Sequence, residues 1–326
     1  MNILITGAAG FIGSKTAEFL LKDNYQVIGV DNLNNYYDSK FKTFRLNELS
    51  RYSNFTFIQL DIENYNELQA IFEEYNFEII INLAARAGVR YSIENPFIYA
   101  QTNFLGSLNL LDLMRNYKIS KYVMASTSSI YADSDMPFLE SLAVNSPISP
   151  YAATKKAAEL MAYTYHHQFN IDVSIVRYFT VYGPSGRPDM SVLRFIKWID
   201  EGKPILLYGD GTQSRDFTYI DDIAQGTIMA AMTKTGYEVI NLGGGNNPIS
   251  MNSLIEKIEH LLNKKVIIDS RPFHTADVDS TWANIDKAKQ ILNWSPQTDL
   301  DTGLKKTVEW YFKNKSWLSK LNFHDK

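Results

Sequence analysis

The chain has 326 residues, 45% of them apolar and 21% charged, with a formal net charge of −4. That length can bury one large core, or one core and a smaller lobe, and the balance is that of a globular protein. The absence of cysteine excludes disulfides, thiol catalysis and cysteine–zinc sites, and the absence of a basic block or basic amphipathic run leaves no footprint for nucleic acid or a membrane surface.

Asn2–Thr6 reads as a short apolar strand and Phe11–Leu21 as a helix, with Phe11, Ile12, Phe19 and Leu20 available for burial. A strand starting at residue 2 is expected to leave no room for a signal peptide. No apolar run approaches the ~20 residues of a membrane span, and a cytoplasmic location is expected. Gly7, Gly10 and Gly13 punctuate the strand-to-helix turn. Glycine there permits a tight bend, close approach of a pyrophosphate, and close helix–strand packing. The helix start would turn its free amides and positive dipole end toward the phosphates. The next strand, Gln26–Val30, ends at Asp31, 18 residues past Gly13. That is near the ~20-residue spacing of a carboxylate that hydrogen-bonds an adenosine ribose. Asp31 would repel a 2′-phosphate, which favours NAD over NADP. Together these elements predict dinucleotide binding.

Further strands are predicted at 55–61, 78–84, 121–126 and 172–179, with helices near 64–75, 96–117 and 150–168. Continuous apolar strands alternating with helices predict an α/β fold, a Rossmann-type doubly wound parallel sheet covered on both faces. The carboxyl ends of such strands form the ligand crevice, where Asp61 and Leu83-Ala84-Ala85 would lie. Asn103 and Gly106 fall on the 96–117 helix. Tyr151 and Lys155 are four residues apart, so both face one point of a cleft. A free phenol titrates near ~10, and a lysine ammonium at hydrogen-bonding distance is expected to lower that value. His166 and His167 are adjacent and diverge on a helix, so no metal site is predicted. Beyond about residue 180 the alternation is irregular, with helices expected over 190–201, 219–233, 250–262 and 300–314. The expected division is an NAD-binding domain over 1–180, with about 208–245 returning to it, and a smaller, discontinuous α/β substrate lobe mainly over 181–326.

The strings "TGAAGFIG", "VDNLNNYYD", "NLAARAGVRYSIENP", "YAATKKAAELMAYTY", "RYFTVYGPSGRPDM" and "SRDFTYIDDI" together resemble the extended short-chain dehydrogenase/reductase family, specifically its nucleotide-sugar 4-epimerases. The middle strings look most like the UDP-glucuronate group. The resemblance implies tightly held NAD, a homodimer, and a UDP-sugar lying between two lobes. It assigns Gly7, Gly10, Phe11, Ile12 and Gly13 to the pyrophosphate, Asp31, Asn32 and Asn35 to the adenosine ribose, and Asp61 and Ile62 to the adenine. Leu83, Ala84, Ala85 and Asn103 fall on the nicotinamide side. Thr127 completes a catalytic triad with Tyr151 and Lys155, which also touch the cofactor. Arg215 and Asp277 fall where the family grips UDP, and Ser128, Ser129, Thr180 and Arg187 around the far end of the sugar.

In the implied reaction Tyr151 takes the 4-hydroxyl proton as hydride leaves C4, and Thr127 shares the charge on that oxygen. The resulting 4-keto sugar turns over and regains hydride on its other face. Related dehydratases carry Asp-Glu just after the threonine, and related decarboxylases commonly a Glu; Thr127-Ser128-Ser129 has no acid, which argues for epimerisation. Arg86 stands where the glucuronate enzymes usually have Gln, Ala132 where they have Gly, Ser185 where they have Trp, and 274–277 reads HTAD for QPGD. A small Ser185 is expected to enlarge the sugar pocket. The resemblance therefore implies UDP-glucuronate to UDP-galacturonate, with UDP-glucose/UDP-galactose or UDP-GlcNAc/UDP-GalNAc as the alternative. A non-catalytic NAD sensor is a third reading, disfavoured by the intact Thr127, Tyr151 and Lys155.

Overall fold

The apolar strands pair with one another, since only a sheet covered on both sides can bury them. The computed structural model describes residues 1–132, 134–246, 248–273, 277–321 and 323. Its strands are β1 (Asn2–Thr6), β2 (Gln26–Asp31), β3 (Phe55–Gln59), β4 (Ile79–Asn82), β5 (Lys121–Thr127) and β6 (Asp172–Tyr178). Next come β7 (Thr180–Tyr182), β8 (Ile205–Tyr208), β9 (Ser214–Arg215), β10 (Phe217–Tyr219) and β11 (Tyr237–Leu242). Last are β12 (Ile249–Ser250) and β13 (Ile268–Arg271).

A seven-stranded sheet runs in the order β11-β6-β5-β4-β1-β2-β3, every pair parallel. The direction of winding reverses between β1 and β4, and the loops that leave their carboxyl ends diverge into a crevice. The register makes this rim level, because Thr6 lies beside both Val30 and Asn82. Gly7, Asp31 and Leu83 therefore emerge together. Residues of opposite parity fill opposite faces. Ile3, Ile5, Val123 and Val176 meet Leu20, Ile223 and Ile240 on one side, while Leu4, Ile28, Met124 and Ile175 meet Leu110 and Ala158 on the other.

A third cluster builds the second lobe from Phe195, Ile199, Ile205, Leu254, Ile258, Leu304 and Tyr311, and it reaches Phe11 and Phe41. Small pairings stiffen that lobe: β7 with β10, β8 with β13, and β9 with β12. The predicted 96–117 helix is one helical run, Pro96–Tyr99, a π-helical stretch Ala100–Leu105, and Gly106–Tyr117. Helices at Lys40–Leu49, Val89–Glu94 and Asp286–Leu292 were not predicted. In the first of these, two of the buried positions are cations, Lys42 and Arg45, which hides the apolar stripe. Among the described residues no helix is long and apolar enough to cross a membrane, and no group of His, Cys, Asp or Glu could hold a metal ion.

Candidate active site

A cavity of about 540 Å³ opens between the carboxyl rim of the sheet and the second lobe. The sheet side contributes Gly7, Gly10, Phe11, Ile12, Gly13, Asp31, Asn32, Asp61, Ile62 and Leu83–Ala85. Thr127, Ser128, Ser129, Tyr151 and Lys155 stand where the two sides meet, and Thr180, Arg187, Arg215 and Asp277 close the second-lobe side. Two predicted residues lie off this wall. Asn35 is exposed. Asn103 is fully buried behind it, accepting from the Arg86 N–H at 2.8 Å and donating to the Arg86 carbonyl at 3.0 Å. It fixes the loop after β4, and its neighbour Thr102 reaches the cavity instead.

The glycine turn is as tight as the spacing implies. Gly7 has φ +71, and a Cβ on it would lie 2.7 Å from the Ala84 nitrogen; one on Gly13 would lie 2.1 Å from the Gly7 carbonyl oxygen. The Phe11–Lys22 helix begins with no side-chain cap, so its first amides are left for an anionic ligand. Asp31 is held rigidly: it accepts from the N–H groups of Ala9 (3.2 Å) and Leu33 (2.8 Å) and pairs with buried Lys42 at 3.2 Å. Asn32 donates to Asp61 at 2.6 Å. A crowded turn, open amides and a fixed carboxylate in one wall fit a dinucleotide.

Ser149 caps the Pro150–Phe169 helix by accepting from the Ala152 N–H, with Pro150 in its first turn. That helix carries Tyr151 and Lys155 into the cavity wall. The Lys155 ammonium donates to the Ala125 carbonyl at 2.9 Å. Burial pushes its pKa down to about 8, and the Glu159 carboxylate pushes it back up. Burial also raises the Tyr151 phenol, with the Thr127 hydroxyl and the Arg187 charge pulling it down. The expected lowering by Lys155 is thus not met: desolvation outweighs the groups that pull the phenol down. Thr127, at the end of β5, accepts from the Ser129 N–H and donates to its hydroxyl, both at 3.1 Å.

On the second-lobe side the polar groups bond to one another and to nearby backbone. Arg187 forks onto Asp189, with Nε 3.1 Å from Oδ1 and Nη2 bonded to Oδ2. Asp277 accepts from Arg90 at 2.6 Å, whose guanidinium lies 3.7 Å from the centre of the Tyr208 ring. Arg215 donates to the carbonyls of Ser214 (2.7 Å) and Asp279 (3.3 Å). Ser185 does not enlarge the pocket, since it lies off the cavity wall and its carbonyl and hydroxyl accept from Arg45. Residues 274–276 of the HTAD string lie outside the described residues, and Asp277 within them.

A family model described as GDP-mannose 4,6 dehydratase matches residues 4–307. The chain belongs to this family. It is 59% identical over 311 residues to a UDP-glucuronate 4-epimerase of Thermodesulfobacterium geofontis, covering 95% of this chain and 96% of that one. The structure of UDP-glucuronic acid 4-epimerase from Bacillus cereus, in complex with UDP-glucuronic acid and NAD, superimposes with a TM-score of 0.91 at 38% identity, covering 96% and 100%. A UDP-glucose 4-epimerase of Thermotoga maritima gives 0.87 at 31% identity, covering 97% and 100%. The chain is thus an extended short-chain dehydrogenase/reductase of the nucleotide-sugar epimerase kind.

Within this family member, sequence reasoning missed Lys42, Arg45 and Arg90. Arg45 is buried and donates to the carbonyls of Ala9, Ser185 and Gly186 and to the Tyr37 hydroxyl. It ties the glycine turn to the loop that carries Arg187. A helix prediction over 40–49 would have exposed Lys42 and Arg45 as cations on a buried stripe; nothing local marks Arg90.

Proposed function

We propose that the protein is an NAD-dependent UDP-sugar 4-epimerase that interconverts UDP-glucuronate and UDP-galacturonate. The carrying observation is that Thr127, Tyr151 and Lys155 face one cavity whose Thr127–Ser129 edge has hydroxyls and no carboxylate. The reading is supported by relatives whose names specify that reaction. Bound NAD would supply a hydride acceptor and donor at sugar C4. The turn at Gly7, Gly10 and Gly13, the first amides of the following helix and Asp31 would hold it.

Tyr151 exchanges the proton of the sugar 4-hydroxyl, and Thr127 hydrogen-bonds the same oxygen as its charge changes. The Lys155 ammonium favours the phenolate form of Tyr151 electrostatically, the form that accepts the 4-hydroxyl proton. Its burial keeps water from competing with that interaction. Ser128, Ser129, Thr180 and Arg187 would surround the sugar's C6 substituent, with Arg215 and Asp277 on the UDP. The cofactor would rest on residues 1–180 and the returning segment near 208–245, and the UDP-sugar mainly on 181–326.

One observation favours a second reading, a neutral UDP-glucose or UDP-N-acetylhexosamine. Asp189 already pairs with Nε and Nη2 of Arg187, which partly neutralises that cation and weakens its pull on a uronate. Incubating the protein with UDP-glucuronate, UDP-glucose and UDP-GlcNAc and separating the products decides between them. Denaturing the purified protein and identifying the released nucleotide tests the cofactor, with NAD expected and NADP refuting the role of Asp31.

A cytoplasmic homodimer completes the reading. The 96–117 run and the Pro150–Phe169 helix expose Phe97 (82%), Leu160 (58%) and Tyr163 (50%), apolar surface that a second copy would cover. Light scattering tests it; a monomer at micromolar concentration would refute it.

A further inference from the structure

Behind the catalytic groups, off the cavity wall, lies a buried ion pair. Glu159 sits one turn beyond Lys155 on the Pro150–Phe169 helix, and Arg177 lies on β6; both side chains are almost wholly buried. Arg177 grips the carboxylate with both arms, Nε to Oε1 at 2.9 Å and Nη2 to Oε2 at 2.7 Å. The Ser126 hydroxyl donates to the same carboxylate at 2.6 Å, and Lys156 reaches it at 3.2 Å. The remaining arm of Arg177 donates to the Tyr131 hydroxyl (2.7 Å), which donates to Asn241 of β11 (2.8 Å). Two further groups complete the surroundings. The Tyr237 hydroxyl donates to the Glu159 carbonyl at 3.4 Å, and Glu140 accepts from the Asn241 N–H at 2.8 Å.

A buried ion pair is poor evidence for stability, because apolar residues of similar volume often serve as well. Its position is what informs. Ser126 immediately precedes Thr127. Tyr131 ends the 3₁₀ turn Ser128–Tyr131 that carries Ser128 and Ser129. Glu159 shares a helix face with Lys155 and Tyr151. The pair therefore joins β5, β6, β11, the catalytic helix and that turn at one point.

We infer that Glu159 and Arg177 are positioning residues for the Thr127–Tyr151–Lys155 set, holding the end of β5 and its turn against the catalytic helix and supplying the fixed negative charge that Lys155 faces. The inference rests on the epimerase reading above. Arg177, Ser126 and Lys156 keep Glu159 ionised despite its burial. Lys155 faces the Ala125 carbonyl from β5, and Tyr151 and Glu159 from its own helix; burial lowers its pKa and Glu159 opposes that. Removing the carboxylate charge would leave burial unopposed, so the ammonium would be lost at a still lower pH.

The test uses Glu159→Gln and, because that variant orphans a buried guanidinium, also the double variant Glu159→Gln/Arg177→Met. Thermal unfolding establishes which of them folds. Two quantities are then followed against pH: kcat and KM for UDP-glucuronate, and the ¹⁵N resonance of the Lys155 ammonium. A folded variant is expected to show both the Lys155 titration and the basic limb of kcat moved down by about one pH unit, with KM nearly unchanged. Above the limb that is about a tenfold loss of kcat. A folded variant with both titrations in place would overturn the inference, as would failure of both variants to fold, which would make the pair purely structural. The Lys155 resonance needs no substrate, so it still decides the matter if wild-type protein epimerises no UDP-sugar.

Discussion

Replacing Arg187 with Ala tests how the cavity reads the charge of the sugar. Arg187 commits Nε and one Nη2 proton to Asp189, leaving both Nη1 protons and the other Nη2 proton for a ligand. A uronate carboxylate can therefore meet the guanidinium along its free edge while Asp189 holds the opposite one. A hydrogen bond to a charged group contributes about 1.5–3 kcal/mol, or roughly tenfold to a hundredfold in kcat/KM. Truncation also strips Asp189 of its guanidinium partner, so a uronate would face a bare like charge on the same wall. That repulsion drives the loss toward the upper end of the range, and a neutral sugar escapes it. The assay compares kcat/KM for UDP-glucuronate and UDP-glucose in wild type and variant, with products separated chromatographically. The expected result is a selectivity ratio that falls by about a hundredfold. Equal losses on both sugars would refute the reasoning and make Arg187 a brace for its loop.

Tyr151→Phe should leave the unfolding temperature nearly unchanged and reduce epimerisation by ~10²–10⁴-fold; turnover near wild type would remove Tyr151 from the chemistry. Gly13→Ala puts a Cβ 2.1 Å from the Gly7 carbonyl oxygen, so the helix must move off the turn. A loss of about 1–3 kcal/mol is expected, together with weaker NAD retention, read by thermal unfolding with and without added NAD. Asp200 bonds Lys264 (2.7 Å), Lys315 (2.6 Å) and the Tyr311 hydroxyl (2.8 Å), and the two ammoniums help hold its carboxyl below the usual value despite burial. Its contribution is full at neutral pH and lost as pH falls through the carboxylate range. Asp200→Asn should flatten the decline of urea stability between about pH 7 and pH 3; an unchanged slope would count against it.

What could be read from the chain alone is what depends on neighbours in sequence. The turn from Gly7 to Gly13, Asp31 at the end of β2, and Tyr151 with Lys155 each combine residue type and local period, and the structure gathers them in one wall. The partners that tune these groups come from far away. Glu159 meets Arg177 18 residues on, Arg45 meets Ser185 across 140, and Arg90 meets Asp277 across 187. No periodicity carries such pairings. The same holds for β9 and β12, two residues each and 34 apart at their nearest ends in the chain, too short to leave a pattern. Misreading Ser185 had a different cause. Its φ of +59 turns the hydroxyl toward Arg45, and a side-chain volume taken from sequence holds no direction.

The last strand of the large sheet has a consequence for how the polypeptide can be divided. β11 covers the outer edge of β6 along its length, from Val173 to Tyr178, yet it arrives only after β7 to β10 and much of the second lobe have been traversed. A chain shortened at residue 180 would keep six strands and most of the glycine-turn wall, but β6 would end as a bare edge of unpaired amides and carbonyls. Such an edge recruits other chains. The two lobes are therefore interleaved in the order of synthesis, and the nascent sheet remains open to aggregation until residue 242 has emerged.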